Sequence, residues 1–367
     1  TYFSTDMKDP NALGTILFDK VPTTDEKLPR AKNSEIYALI NSDLDYARGI
    51  LTYGKDRYYV DKGFVNALSA RFNLYRGNYA LAKQYAQDVI SNAGLTLTPA
   101  TPIQPAVDNP PAIGSSAWNT AFYATASSFN PYRNLWNDSA RGEIIFSLNR
   151  LATGVGVSIG TYYNTNASNI SGVNMWYWSE NMMKLLYNST DDVRKYAYID
   201  PTTYTVKNTK TGQTYYQAGQ YVIDKYPGKT AAATRNDVKL FRLSEMYFIL
   251  AEAAVETGDL TGAANYIQQI RMARNYRGTA TTPAYANATA AYADILKERR
   301  IELSLEGHRY IDLKRLAAKA GVTMDRDLNK DDLIPTTNLP NDSYKYTLPI
   351  PLAEISANPN IQQNPGY

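Results

Sequence analysis

The charged row in residues 296–315, LKERRIELSLEGHRYIDLKR, is the first place to look for chemistry. Glu298, Glu302 and Glu306 repeat there at i, i+4, with Arg299, Arg300 and Arg309 among them. Paired carboxylates carry out glycoside hydrolysis, so these glutamates could be glycosidase acids. Helical geometry favours another use. At about 100° per residue, Tyr292, Ile295, Leu296 and Leu303 share a face that also holds Arg299 and Glu306, while Glu302 lies on its flank. Ile301 and Leu305 cover a second side. A helix apolar on two sides with charges inside one stripe is an interior helix, and its charges need partners. Like charges at i, i+4 also destabilise an isolated helix. We therefore expect a structural ion network rather than catalysis, with Arg299 or Arg300 within about 4 Å of a carboxylate. Gly307 is expected to end the helix in the left-handed conformation.

Two further polar constellations are weaker. Asp325-x-Asp327-x-Asn329 starts like a calcium loop, but Lys330 and Thr336 stand where an EF-hand needs Gly and Glu. A solvated acidic loop is the preferred reading, and no cofactor is expected. His308 is the single histidine, so a histidine metal site has no second member. No G-x-S-x-G, P-loop or G-x-G-x-x-G opening a helix is present.

The other chemistry-bearing set is aromatic. The chain holds 31 Tyr, with 4 Trp and 9 Phe, and tyrosine combines a flat apolar face with a polar edge. Tyr162, Tyr163, Trp176, Tyr177 and Trp178 fall in a stretch too rich in Gly, Asn, Ser and Thr to be helical. Consecutive W-Y-W cannot bury every ring on one face, whichever element it adopts, so at least one ring should reach the surface or a cleft. These five, with Trp118 and Tyr132 as weaker members, are the expected ligand-binding residues, suited to stacking on sugar C–H faces. The competing reading is that they glue loops to helices.

The elements that must position these groups are mostly helical. A turn-rich connector (Asp9-Pro10, Pro22, Pro29) leads into a helix from Asn33, with Asn33 or Ser34 able to cap it. Residues 58–93 read as a helix pair of tetratricopeptide type, in which small residues (Ala67, Ala70, Ala82, Ala86) allow close approach and Gly77-Asn78-Tyr79 reverses the chain. A weaker copy has its turn at Gly258-Asp259-Leu260. Its first helix is expected to start at Val238 and to be packed on both sides, with Glu245 and Glu252 on one of them. Residues 96–118 read as a Pro-rich surface loop, 143–148 as a short strand, 179–187 as a helix, and the Thr-Gly turn after residue 201 as a hairpin. After Arg315 a Pro-rich tail should wrap over the helical body.

Composition bounds the function classes. A net charge of +3 gives no reason to expect nucleic acid or an anionic membrane. Zero cysteines exclude disulfides and thiolate chemistry. No apolar run approaches the roughly 20 residues of a membrane-spanning helix, and the start, TYFSTDMKDP, has no signal-peptide pattern. The chain is then cytosolic, or a targeting segment has been removed.

The row E-R-R-x-E-L-x-x-E-G-x-R-x-x-D-L-x-R in residues 298–315 resembles the C-terminal signature of the SusD/RagB family of outer-membrane nutrient-binding lipoproteins. Further stretches resemble the family in order: AKNSEIYALINSDLDYA, Glu143-Ile144-Ile145-Phe146, Asp192-Val193-Arg194, RLSEMYFILAEAAVETG with acids Glu245 and Glu252, and the ending Gln363-Asn364-Pro365-Gly366-Tyr367. The resemblance implies one mainly α, SusD-like domain over residues 1–367. Residues 33–95 would be a helical repeat part, 96–235 the irregular ligand-binding part, 236–320 a second repeat with the signature helices, and 321–367 the wrapping tail. It implies non-catalytic binding of an oligosaccharide, or of an oligopeptide in some branches. It also implies a SusC-like TonB-dependent transporter as partner and a place on the outer face of the outer membrane. The family's signal peptide, lipidated cysteine and first helical repeat have no counterpart here, so an N-terminal part is expected to be missing. A purely protein-binding tetratricopeptide scaffold is the rival from another class.

Overall fold

The computed structural model describes residues 2–23, 25–124, 127, 129–154, 158–163, 176–201, 206–207, 214–215, 221–326 and 338–367. In chain order the first elements are the antiparallel strands β1 (Leu13–Ile16) and β2 (Arg30–Lys32), then helices α1 (Asn33–Ile50), α2 (Lys62–Tyr75) and α3 (Tyr79–Asn92). The connector thus contains a small strand pair. Asn33 is not the cap of α1: Lys32 takes that position, and its N–H donates to the Glu35 carboxylate at 2.8 Å. The buried Asn33 amide instead donates to Ser4 Oγ and to the carbonyls of Asp6 and Asp9, tying down the N-terminal segment.

Helices α2 and α3 form a hairpin for local reasons. The Asp61 carboxylate caps α2 by accepting from Phe64 N–H at 2.8 Å. Gly77, at φ +77°, turns the chain while Asn78 N–H reaches back to the Asn73 carbonyl. Ala67, Ala70, Ala82 and Ala86 are fully buried between the two helices.

The excursion between the hairpins contains α4 (Ser116–Phe122), α5 (Pro131–Trp136), β3 (Ile144–Leu148), α6 (Glu180–Asn188) and α7 (Arg194–Tyr198). The strand pairs β4 (Val206–Lys207) with β5 (Thr214–Tyr215) and β6 (Gly228–Lys229) with β7 (Ala232–Ala233) follow. Its core is aromatic: Trp118, Phe122, Tyr132, Trp136, Tyr198 and Tyr226 are all buried with Met182, Met183 and Leu186. Residues 96–118 are more than a surface loop. Ala100 and Ile103 are buried, and Ala100 N–H donates to the Ala273 carbonyl at 2.7 Å.

Residues 238–242, expected as the start of a helix, form strand β8 (Val238–Arg242), antiparallel to β3 with Ile144 opposite Arg242. The buried faces of strand and helix run into one another, so the apolar period cannot separate them. Helix α8 (Leu243–Glu256) follows, with every residue from Leu243 to Val255 except Tyr247 buried. The Gly258 turn, at φ +79°, leads to α9 (Leu260–Arg274). This second hairpin packs directly on the first, through α8 against α3. Copies remote in sequence are neighbours in space.

Helix α10 (Ala288–Glu302) ends five residues before the expected Gly307. The chain turns over residues 303–307, with Leu305 at φ +62° and Gly307 at +85°, and α11 (Arg309–Leu316) follows. Ending early lets α11 fold back so that Asp312 meets Arg299. The tail adds β9 (Met324–Asp325) paired with β10 (Asn338–Leu339), then α12 (Leu352–Ala357). Arg30 clamps both ends of the chain, donating to the carbonyls of Phe3 and Gln362 and to the Asn364 amide oxygen.

Candidate functional site: an aromatic face on a buried ion network

The aromatic face is assembled by close backbone packing. A 3-10 turn, Ile159–Tyr162, is pinned by Gly160 N–H to the Thr234 carbonyl at 3.0 Å. A Cβ on Gly160 would lie 2.6 Å from the Thr234 carbonyl oxygen and 2.8 Å from that of Tyr226. Only glycine permits that approach, and it sets Tyr162 and Tyr163 beside Tyr226. The Trp176 ring meets Tyr162 edge-on at 5.6 Å and lies tilted against Tyr163 at 5.9 Å. Tyr163 stacks on the buried Tyr226 at 6.1 Å, and Tyr226 meets Trp136 edge-on at 5.7 Å. Trp176 is 50% exposed, and Tyr162 and Tyr177 are each 37% exposed. Burial pushes the Tyr163 hydroxyl pKa up, so the ring stays neutral. Tyr162, Tyr163 and Trp176 are thus one half-open patch with a rigid backing, and Tyr177 is a partly exposed neighbour of Trp176 along the chain.

Three expected members are elsewhere. Trp178 is buried: its N–H pairs with the Tyr221 carbonyl, and its Nε1 donates to the Tyr198 carbonyl at 2.8 Å. Trp118 is fully buried against Phe122, with Nε1 donating to the Ile103 carbonyl at 2.7 Å. Tyr132 is fully buried, its hydroxyl 2.7 Å from that of Tyr198. All three pack inside the excursion's own aromatic core and offer no ring to a ligand. Tyr226, the backing of the patch, was missed, because only the fold brings it to Tyr163.

Behind the face lies an ion network centred on Glu302. Its carboxylate accepts from Arg242 at 2.8 Å, from Arg274 at 2.8 Å and from Arg194 at 3.1 Å. Glu143 bridges Arg242 and Arg274 on the far side, at 2.7 and 2.8 Å. Arg194 continues to Glu298 and Asp192, and Arg271 joins Glu298 to Asp294. Glu306 takes two bonds from Arg242 and one from Lys225 Nζ at 2.7 Å. Burial opposes ionisation of Glu302, yet Arg274, Arg242 and Arg194 hold its carboxyl well below the usual range. The same opposition ends with Glu306 at about 2, held by Arg242 and Lys225. Burial pulls the Lys225 amine down to about 8 against the pull of Glu306. With no solvent exposure and three guanidiniums around it, Glu302 presents no oxygen to a substrate.

A second group joins α8, α10 and α11: Arg299 to Asp312 at 2.7 Å, Arg315 to Asp312 at 2.9 Å and Arg315 to Glu252 at 2.8 Å. Glu245 pairs with Arg71 of α2 at 2.6 Å, and His308, buried near it, has its pKa lowered by burial. Arg300 reaches the half-exposed Asp325 at 2.9 Å. Of the calcium reading only Asp325 can be placed, since Asp327 and Asn329 lie outside the described residues. Among the described residues no cluster of three His, Asp or Glu could hold a metal ion. Glu143, Arg274 and Lys225 had no role assigned from sequence. Their charge partners lie elsewhere along the chain, and only the like-charge row of Glu298, Glu302 and Glu306 signalled that cations must come from elsewhere.

Comparison with known proteins places this architecture. A SusD-like protein of Formosa agariphila is 25% identical over 386 residues, spanning 96% of this chain and 70% of that protein. The starch-binding protein SusD of Bacteroides thetaiotaomicron is 31% identical over 150 residues, 40% of this chain and 24% of that protein. Among solved structures, a putative sugar-binding protein from Bacteroides vulgatus superimposes with a TM-score of 0.71 at 26% identity, covering 98% of this chain and 71% of that one. The SusD family model matches residues 149–367, which takes in the aromatic face, β8, the second hairpin and the signature turn; the chain belongs to the SusD family.

Proposed function

We propose that this chain binds nutrient oligosaccharide at the cell surface, without catalysis, and passes it to a SusC-like TonB-dependent transporter of the outer membrane. The observation that carries the reading is the half-open patch of Tyr162, Tyr163 and Trp176 on its buried Tyr226 backing. Flat apolar rings with hydroxyl or indole edges match the alternating C–H faces and hydroxyl rims of sugars. A rigid backing lowers the ordering cost of binding. The names of the relatives, one starch-binding and one putatively sugar-binding, support the same ligand class. The location that goes with this reading is the outer face of the outer membrane, as for other members of the family.

Calorimetric titration against malto-, laminari- and xylogluco-oligosaccharides tests it. One panel member should bind, and Trp176→Ala should weaken that binding at least tenfold, the loss of about 1.4 kcal/mol of stacking. Unchanged affinity in Trp176→Ala would remove the site. Binding of oligopeptides in place of every sugar would remove the ligand class.

A further inference from the structure

The signature turn and the aromatic face touch through two adjacent residues. Lys225 and Tyr226 lie between them, in the bend that follows the bridges at Tyr221 and Ile223. Tyr226 presents one side of its ring to Tyr163 and its edge to Trp136, while its hydroxyl donates to the Leu305 carbonyl at 3.1 Å. The Lys225 amine donates to the carbonyls of Ser304, at 2.7 Å, and Glu302, at 3.1 Å, and to the Glu306 carboxylate. It also sits over the rings of Trp136 and Tyr198, at 4.3 and 4.5 Å. The turn that receives these bonds is strained. Leu305 occupies the left-handed region at φ +62°, which a residue with a side chain keeps only where its surroundings hold it. Those surroundings include Lys225 and Tyr226, whose donors grip the two carbonyls on either side of the Leu305 Cα.

We infer that Lys225 and Tyr226 are positioning residues for the aromatic face, locking its Tyr163–Trp176 rings to the left-handed turn of the signature. This rests on the proposed reading of that face as the oligosaccharide site. The signature thereby sets the ligand surface from below without touching ligand. The tether is rigid at both ends: the Gly160 close approach holds the Tyr226 backbone, and the ion network holds Glu306. A change at the turn reaches the ring stack through Tyr226, and Trp176 is the exposed end of that stack.

The test uses Tyr226→Phe, which keeps the ring and removes the hydroxyl, and Leu305→Gly, which removes the need for the grip. Iodide quenching of tryptophan fluorescence reports Trp176, because Trp118, Trp136 and Trp178 are buried. Tyr226→Phe should change that quenching and weaken oligosaccharide affinity roughly fivefold, the loss of one ordinary hydrogen bond, whereas Leu305→Gly keeps every donor and acceptor at the turn and should leave both unchanged. Val89→Ala, in the buried contact between the hairpins, should lower the melting temperature and leave quenching unchanged, which separates positioning from general destabilisation. Quenching unaltered in Tyr226→Phe would overturn the inference, since that readout involves no ligand. Altered quenching with unaltered affinity would keep the tether and overturn the face as the sugar site.

Discussion

Replacing Glu306 by glutamine isolates one member of the buried network at nearly constant volume. The carboxylate accepts from Arg242 Nε and Nη2, each at 2.8 Å, and from Lys225 Nζ at 2.7 Å. An amide oxygen can accept from one of these cations, but its NH2 then faces the other. Removing one partner of a buried charge pair costs about 3–5 kcal/mol. Arg242 keeps Glu143 and Glu302, and Lys225 keeps two backbone carbonyls and the faces of Trp136 and Tyr198, which places the expected loss near the lower end, about 3 kcal/mol. The pH dependence supplies a second magnitude. The Glu306 carboxyl titrates at about 2 in the fold against an ordinary 4.5, so the unfolded chain takes up this proton first as pH falls. The stabilisation is fully present above about pH 4.5 and is lost as pH falls toward 2. At roughly 1.4 kcal/mol per pH unit it amounts to about 3 kcal/mol. Urea unfolding between pH 7 and pH 2.5 measures both quantities, as a lower midpoint at pH 7 and a shallower acid decline in Glu306→Gln. A loss below about 1 kcal/mol at pH 7, the range of an exposed pair, or an acid decline as steep as in the unmodified chain would refute the reasoning.

Two other substitutions separate framework from surface. Trp118→Ala removes a fully buried indole stacked on Phe122 and should cost about 3–5 kcal/mol in urea unfolding, with oligosaccharide affinity of the folded protein unchanged; a fall in affinity at unchanged stability would return Trp118 to the ligand site. Arg300→Ala breaks a pair with the half-exposed Asp325 and should change stability by less than about 1 kcal/mol, an effect that shrinks further with added salt. A larger loss would mean that Arg300 belongs to the buried network.

The parts legible in the sequence are those encoded over a few residues. Both hairpins carry their own turn glycine and an alanine seam, and the short strand at Ile144 is bounded by Gly142 and a run of β-formers. What was misread depends on distant partners. β8 merges into α8 because strand and helix are both buried, and only β3, about a hundred residues earlier, makes the first of them a strand. The end of α10 at Glu302 had no local marker, since a left-handed leucine is specified by the groups that grip it rather than by its own preference. Trp118, Tyr132 and Trp178 have the same amphipathic character as Trp176. Whether such a ring is core or surface is decided by chain that folds back from elsewhere, as Tyr198 does on Tyr132 across 66 positions.

The network behind the face gathers charges from separate elements: Glu143 at the start of β3, Arg194 of α7, Arg242 of β8, Arg274 of α9 and Glu302 of α10. Burying so many ions is a poor source of net stability, because desolvation offsets most of the Coulombic gain. Misplacing any one of them is expensive, since each leaves an uncompensated charge. The cluster therefore acts on register: β8 against β3, α10 against α9, and the excursion against the helical body have one arrangement in which every carboxylate is answered. The aromatic face hangs from that arrangement through Lys225 and Tyr226, with Trp176 as its exposed outer ring. Substitutions in the signature should then be felt mainly as lost folding, and substitutions at Tyr162, Trp176 or Tyr177 mainly as lost affinity. The residues that identify the family are, on this reasoning, those least free to choose its ligand.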